Sequence, residues 1–168
     1  MTRRGQEALA GLARELISLA DAKGVSLGAA ESCTGGMVSA ALTSVPGASE
    51  VFKGAVVSYT NEVKVALLGV MSESLLKEGA VSEKVALEMV AGARKALYVD
   101  YAVSVTGVAG PGGGSARKPV GSVWIAVAGK RDARALLHRF EGTREQIRLA
   151  AAEAALQKLL LFIQDTTR

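Results

Sequence analysis

The order in which helical and strand periodicities follow one another constrains this chain more than any single motif. Over residues 6–22, Leu9, Leu12, Ala13, Leu16, Ile17 and Ala20 recur at helical spacing, and the pattern stops near Gly24. A short strand, "VSLGAAE", follows, and then a helix in "TGGMVSAALTSV" that Pro46 and Gly47 close. "VFKGAVVSY", residues 51–59, is β-branched and aromatic and reads as the next strand. Thr60 or Asn61 is expected to cap a short helix through Leu68, with Gly69 ending it. Ser72 and Ser82 read as two further caps. The second opens a helix from about Glu83 to Leu97 with Val85, Met89, Val90 and Ala93 inward. The strand "DYAVSVTG" comes next, then a glycine-dense segment over residues 107–121, then "SVWIAVAG", whose weak alternation suits an interior strand. "ARALLHRF" makes a last strand, and Thr143 with Gln146 has the form of a capping box opening a helix through about Ile163. Helices and strands thus alternate until the end, where two strands succeed each other through a short turn at Gly129. That order predicts a single domain over residues 1–168, a three-layer α/β/α sandwich whose sheet is mixed rather than wholly parallel.

Composition narrows the class. With 168 residues, 49% of them hydrophobic, the chain can bury one continuous core, and with only 4% aromatics that core must be built from Ala, Val, Leu and Ile. One cysteine gives no internal disulfide, and with one histidine it does not make a metal site of the usual ligand count, so no metal or cofactor is expected. Lys and Arg exceed Asp and Glu by 20 to 16, scattered and without a basic stripe, which argues against nucleic acid and for a small anionic ligand. Arg14 and Glu15 interrupt the apolar residues of the N-terminal segment, which therefore lacks a signal-peptide core, and no run approaches a membrane span. A cytoplasmic, soluble protein is expected.

Open α/β sheets bind ligands at strand ends, where four segments converge: Glu31–Gly36, Ser58–Lys64, Thr106–Gly121 and Gly142–Arg148. Ser32 in "AAESCTGG" ends a strand just before a helix. There it can act as a nucleophile beside free backbone N–H groups, or it, or Thr34, can simply cap the helix. Cys33 reads as a small packed residue rather than a nucleophile, since no histidine lies nearby in sequence. His138, the only histidine, sits in an edge-strand pattern. A serine nucleophile then needs a lysine as base. Lys64, in the first turn of a helix where the dipole disfavours an ammonium, is the best placed, its other reading being a solvated surface group. "GVAGPGGG" has no G-K-[ST] ending and leads into a strand, so it fits neither common phosphate motif. It reads as an anion nest beside Ser115, Arg117 and Lys118, or as a connecting loop. Arg144 and Arg148, at i and i+4, form either a clamp for phosphate or carboxylate or surface pairs with Glu141 or Glu145.

Together, "AESCTGG", "SYTNEVK", "GAVS", "VTGVAGPGGG" followed by "KPVGSVWIA", and "GTREQIR" resemble, in order and spacing, the CinA C-terminal domain family, known for nicotinamide mononucleotide deamidases. The likeness runs from about Leu9 to Leu160, nearly the whole chain, and the joint set is specific where no single motif is. The resemblance implies hydrolysis of the carboxamide of nicotinamide mononucleotide to the acid and ammonia, in pyridine nucleotide recycling, by a Ser/Lys-type site without metal or cofactor. Carried onto this sequence, Ser32 becomes the nucleophile, Lys64 its base and Tyr59 a hydroxyl that steadies or relays the proton. Thr34, Gly35, Gly36, Thr106, Gly107, Gly110, Gly112 and Gly113 would line the substrate site, with Arg144 and Arg148 near the phosphate. Gly112 stands where some relatives have an acidic residue. Many members also carry a larger N-terminal domain, whereas only a few residues precede the first helix here, so a stand-alone version is expected. Two rival readings remain at this stage: a non-catalytic nucleotide-binding or interaction module, and an amidase for another small amide. The alanine-rich last helix with "LQKLLLFI" offers apolar surface to the sheet or to a second subunit, and a homo-oligomer is the weaker expectation.

Overall fold

The computed structural model describes residues 3–166; the outermost two residues at each end of the expected domain lie outside the described residues. In chain order the elements are α1 (Arg3–Lys23), β1 (Leu27–Glu31), α2 (Met37–Thr43), a 3-10 turn (Ala48–Glu50), β2 (Phe52–Val57), α3 (Asn61–Leu68), α4 (Ser72–Glu78), α5 (Glu83–Leu97), β3 (Tyr101–Gly107), β4 (Ser122–Ala128), β5 (Ala133–Arg139) and α6 (Arg144–Thr166). The strands form one sheet in the order β2-β1-β3-β4-β5. β1 runs parallel to both β2 and β3, while β4 and β5 are antiparallel to their neighbours, so the sheet is mixed as expected.

Both faces are covered. Leu27, Ala29, Val103, Val105, Val123, Ile125 and Val127 pack under α1, α2 and α6, while Ala30, Ala102, Ala126 and Ala128 on the opposite face pack under α5. The second face is made of small residues because α5 lies close to it. A Cβ on Gly28 would stand 2.8 Å from Leu97 Cδ1 at the end of α5. α5 also presses on α3, where a Cβ on Gly92 would stand 1.9 Å from the Leu68 carbonyl oxygen.

Several local expectations hold. Thr60 caps α3, accepting from the Val63 N–H at 3.5 Å, and Ser82 caps α5, accepting from Val85 N–H at 3.3 Å. Thr143 and Gln146 form the reciprocal capping box, with bonds of 2.8 and 3.3 Å. Ser72 is a correction: it is the first residue of α4, not its cap, and the Met71 N–H ahead of it donates to the Glu88 carboxylate at 3.0 Å. The second helix is also shorter than its apolar run suggested, because the turn over residues 32–36 consumes its first part.

The topology fixes where a ligand can sit. From β1 the chain passes through α2 on one face to β2 at the sheet edge. It then returns through α3–α5 on the other face to β3, on the far side of β1. The crevice beyond the C-terminal ends of β1 and β3 is therefore the switch point at which open α/β sheets hold ligands.

Candidate active site

Ser32 leaves β1 at that switch point, its N–H donating to the Val105 carbonyl at 3.0 Å and so tied to β3. Its side chain meets Lys64, whose Nζ lies 3.0 Å from Ser32 Oγ and donates to the Ser58 carbonyl at 2.7 Å. α3 delivers this lysine on its inner face, in register with buried Leu68 one turn on. Lys64 is 1% exposed and Ser32 8%, so the pair is withdrawn from solvent. Burial holds the Lys64 ammonium below the usual lysine range. A hydroxyl beside an amine whose pKa is lowered is the arrangement that a serine nucleophile with a lysine base requires.

The residue that builds the turn was not singled out from sequence. Glu31, fully buried at the end of β1, turns its carboxylate under the start of α2. Oε2 accepts from the Gly36 N–H at 2.9 Å and the Val38 N–H at 3.1 Å, while Oε1 accepts from the Ser39 N–H at 2.8 Å and the Ser39 hydroxyl at 2.9 Å. Four donors and the positive end of a helix hold this carboxylate, and it does the capping that sequence offered to Ser32 or Thr34. The N-cap position itself is Gly36, at φ 95°, with no side-chain cap. Gly35 (φ 58°) and Gly36 supply the two left-handed residues that let the backbone double back between Ser32 and α2. The available signal was a lone acid in an otherwise apolar strand, immediately before a glycine pair.

Other expected residues take different places. The Tyr59 hydroxyl does not reach the serine–lysine pair. Tyr59 is 60% exposed and accepts from Arg144 Nη2 at 2.9 Å, while the Ser58 carbonyl, one residue earlier, is what engages Lys64. Arg144 Nη1 donates to the Gly110 carbonyl at 2.7 Å, so this arginine ties Tyr59 to the glycine loop. Arg148 points elsewhere: Nε donates to the Cys33 carbonyl at 3.0 Å and Nη2 to the Thr34 carbonyl at 2.7 Å. The two guanidiniums are thus not one clamp, because each reaches a different loop. Thr34 is buried, with a hydroxyl that has no partner among the described residues. The Thr106 hydroxyl, also buried, is taken by the Ala80 carbonyl at 2.8 Å. Gly107 sits where a Cβ would come within 2.6 Å of Val123, Gly110 is left-handed at φ 77°, and Gly112 and Gly113 are exposed in the loop.

Two residues leave the list of nucleophile and base. The Cys33 thiol is buried in the core and its pKa is pushed up to about 11 by burial, so it stays protonated, as a packed neighbour would. His138 lies on β5, three places along the sheet from β1, stacked on Phe140 with ring centroids 5.4 Å apart.

The sequence matches the CinA C-terminal domain model over residues 9–163. The chain belongs to the CinA C-terminal domain family. A CinA-like protein of Syntrophobacter fumaroxidans is 50% identical over 143 residues, 85% of this chain and 34% of that protein. The chain therefore spans about a third of the length of such CinA-like relatives. Nicotinamide-nucleotide amidohydrolase PncC of Escherichia coli K12 is 47% identical over 148 residues, 86% of this chain and 89% of its own. Among solved structures, the competence/damage inducible protein CihA of Agrobacterium tumefaciens superposes with a TM-score of 0.90 at 41% identity, covering 94% of this chain and 96% of that one. The α/β/α sandwich is thus that of a CinA C-terminal domain. Among the described residues no helix is long and apolar enough to cross a membrane.

Proposed function

We propose that this CinA C-terminal domain hydrolyses the carboxamide of nicotinamide mononucleotide to nicotinic acid mononucleotide and ammonia, in pyridine nucleotide recycling. The observation that carries the reading is the buried 3.0 Å contact between Ser32 Oγ and Lys64 Nζ, and the likeness to the Escherichia coli amidohydrolase supplies the substrate. Lys64, as neutral amine, takes the Ser32 proton while Oγ bonds to the carboxamide carbon. The tetrahedral oxyanion is held by amides of the turn after Ser32. Its collapse breaks the C–N bond, and the Lys64 ammonium protonates the departing ammonia. Water then gives a proton to Lys64 and attacks the acyl ester, and collapse returns that proton to Ser32 and frees the acid. The Ser58 carbonyl keeps the amine aimed at Oγ throughout. Tyr59, bound to Arg144, belongs to the rim of the site in this reading, with the glycine loop over the substrate.

The reading is of a cytoplasmic reaction without metal, cofactor or nucleic acid. It includes self-association. β5 is the sheet edge, with Leu136 (49% exposed) and Leu137 along it and Leu161 of α6 beside it, and Arg134 lies 3.8 Å from Asp165, so the patch carries both charges. A second copy is the occupant such a self-complementary edge favours.

The test is ammonia release from nicotinamide mononucleotide in the presence of chelator, by the parent and by folded Ser32→Ala and Lys64→Ala proteins. Turnover by the parent, with kcat lowered at least about 10³-fold in each variant, is the expected outcome. Full turnover by Ser32→Ala protein would sink the assignment of the nucleophile.

A further inference from the structure

Arg148 lies beside the reacting serine, yet its hydrogen bonds are not those of a residue waiting for a phosphate. The two donors on one edge of its guanidinium, Nε and Nη2, are spent on two successive backbone carbonyls of the nucleophile turn, those of Cys33 and Thr34. The grip is close, since even a Cβ on Gly35 would stand 3.2 Å from Nη2.

A trans peptide group is rigid, and its C=O and N–H point in opposite directions. Pinning the Cys33 carbonyl on Arg148 therefore turns the Thr34 N–H to the other side of the chain. Pinning the Thr34 carbonyl does the same for the Gly35 N–H, which is found donating to the Ser32 carbonyl at 3.1 Å. The Gly36, Val38 and Ser39 amides are consumed by Glu31, and the Met37 amide donates to the Thr34 carbonyl at 3.3 Å. The Cys33 and Thr34 N–H groups have no hydrogen-bond acceptor among the described residues; of the two, the Thr34 N–H is the one whose peptide Arg148 grips, and the Thr34 hydroxyl is a buried atom without a partner there. Buried donors left unpaired are costly, and a free amide in the turn beside the nucleophile is one that a developing oxyanion can use.

We propose that Arg148 is a positioning residue: by gripping the Cys33 and Thr34 carbonyls it holds the Thr34 amide as an oxyanion donor, and it does not bind the substrate phosphate. Glu31 and Arg148 then clamp the turn from opposite poles, one taking its N–H groups and the other its carbonyls. Lysine cannot replace the arginine, because a single ammonium lacks the planar fork that spans two carbonyls.

The inference rests on the deamidase reading, and the experiment separates the two. Parent, Arg148→Ala and Arg148→Lys proteins are assayed with nicotinamide mononucleotide and with nicotinamide riboside, which lacks the phosphate. Loss of an oxyanion donor predicts that both variants lose about 10²-fold in kcat on the nucleotide with KM little changed. It also predicts that kcat/KM for the riboside falls by the same factor. A raised KM for the nucleotide with kcat preserved, or Arg148→Lys protein as active as the parent, overturns the proposal and returns Arg148 to the phosphate. No turnover by the parent fails the deamidase reading itself and the inference with it.

Because the variants can lose their fold, the unaltered protein is also examined by amide NMR with the aldehyde analogue of the substrate, whose hemiacetal with Ser32 is tetrahedral. A shift of the Thr34 amide on adduct formation is expected. An adduct that leaves the Thr34 amide unmoved overturns the proposal.

Discussion

In the proposed mechanism Lys64 is the residue whose environment sets the chemistry, since burial disfavours its charged form and the 3.0 Å contact gives the neutral form a proton to take. The base in that mechanism is the unprotonated amine, whose fraction grows as pH rises through a pKa held below the ordinary lysine value. Hence kcat/KM is expected to rise with pH and to level off below the pH at which an unperturbed lysine, near 10.4, would titrate. The sign for stability is the same. A folded-state value below the unfolded one means that the unfolded chain binds more protons between the two, so stability rises with pH across that window. A pH–rate profile, with denaturant melts of the parent and of Lys64→Met protein, checks both. An apparent pKa at or above that of free lysine, or an unchanged stability profile in the variant, contradicts the buried base. Legibility at this scale divides by residue. Ser32 and Lys64 were readable because a strand end and a helix first turn are marked in sequence, whereas Ser58 acts through a backbone carbonyl that any residue type would provide. Tyr59, its neighbour on an extended segment, is directed away from the pair and toward Arg144.

The element that presents Lys64 packs on α5, and its closest approach is at a single glycine. α3 ends against α5 at Gly92, where an added methyl would lie 1.9 Å from the Leu68 carbonyl oxygen and 2.7 Å from its carbon. Alanine at a helical glycine ordinarily gains up to about 1 kcal/mol from propensity. Here the obstacle is backbone, which cannot swing aside as a side chain can, and the clash dominates. Gly92→Ala protein is expected to be destabilised by about 1–3 kcal/mol in urea unfolding and to lose activity, since relieving the clash moves α3 and lifts Lys64 from Ser32. Stability equal to or above that of the parent would show that the two helices are not packed this closely. Helix boundaries were legible wherever a cap is a local sequence device, as at Thr60, Ser82 and Thr143. They failed at Ser72 and at the start of α2, where the capping carboxylates, Glu88 and Glu31, come from other elements.

At the scale of the whole molecule, the sheet has one edge at β2 and the other at β5, and β5 carries exposed Leu136 beside Leu161 of α6, with Leu137 on the opposite face. An apolar edge of this kind is expected to pair with a second copy. Light scattering on the eluting protein should report more than one subunit, and Leu136→Asp combined with Leu161→Asp should give a single-subunit species that keeps its ammonia release. A parent that elutes as one subunit at micromolar concentration would remove self-association from the account.

The alternation of helical and strand periods, with two strands in succession at the end, determined the three-layer sandwich and its mixed sheet, because periodicity is a local property that burial on two faces imposes on every element. The motifs determined the family, and with it which serine and which lysine to propose as nucleophile and base. Only the tertiary structure decided which side chains meet. Glu31 beneath α2, Arg148 on the Cys33 and Thr34 carbonyls and Arg144 between Tyr59 and Gly110 are contacts of charged groups with backbone atoms or with residues distant in the chain. Such partners leave no periodic trace in sequence, since a carbonyl or an N–H is present at almost every residue and only the fold selects the one to be used.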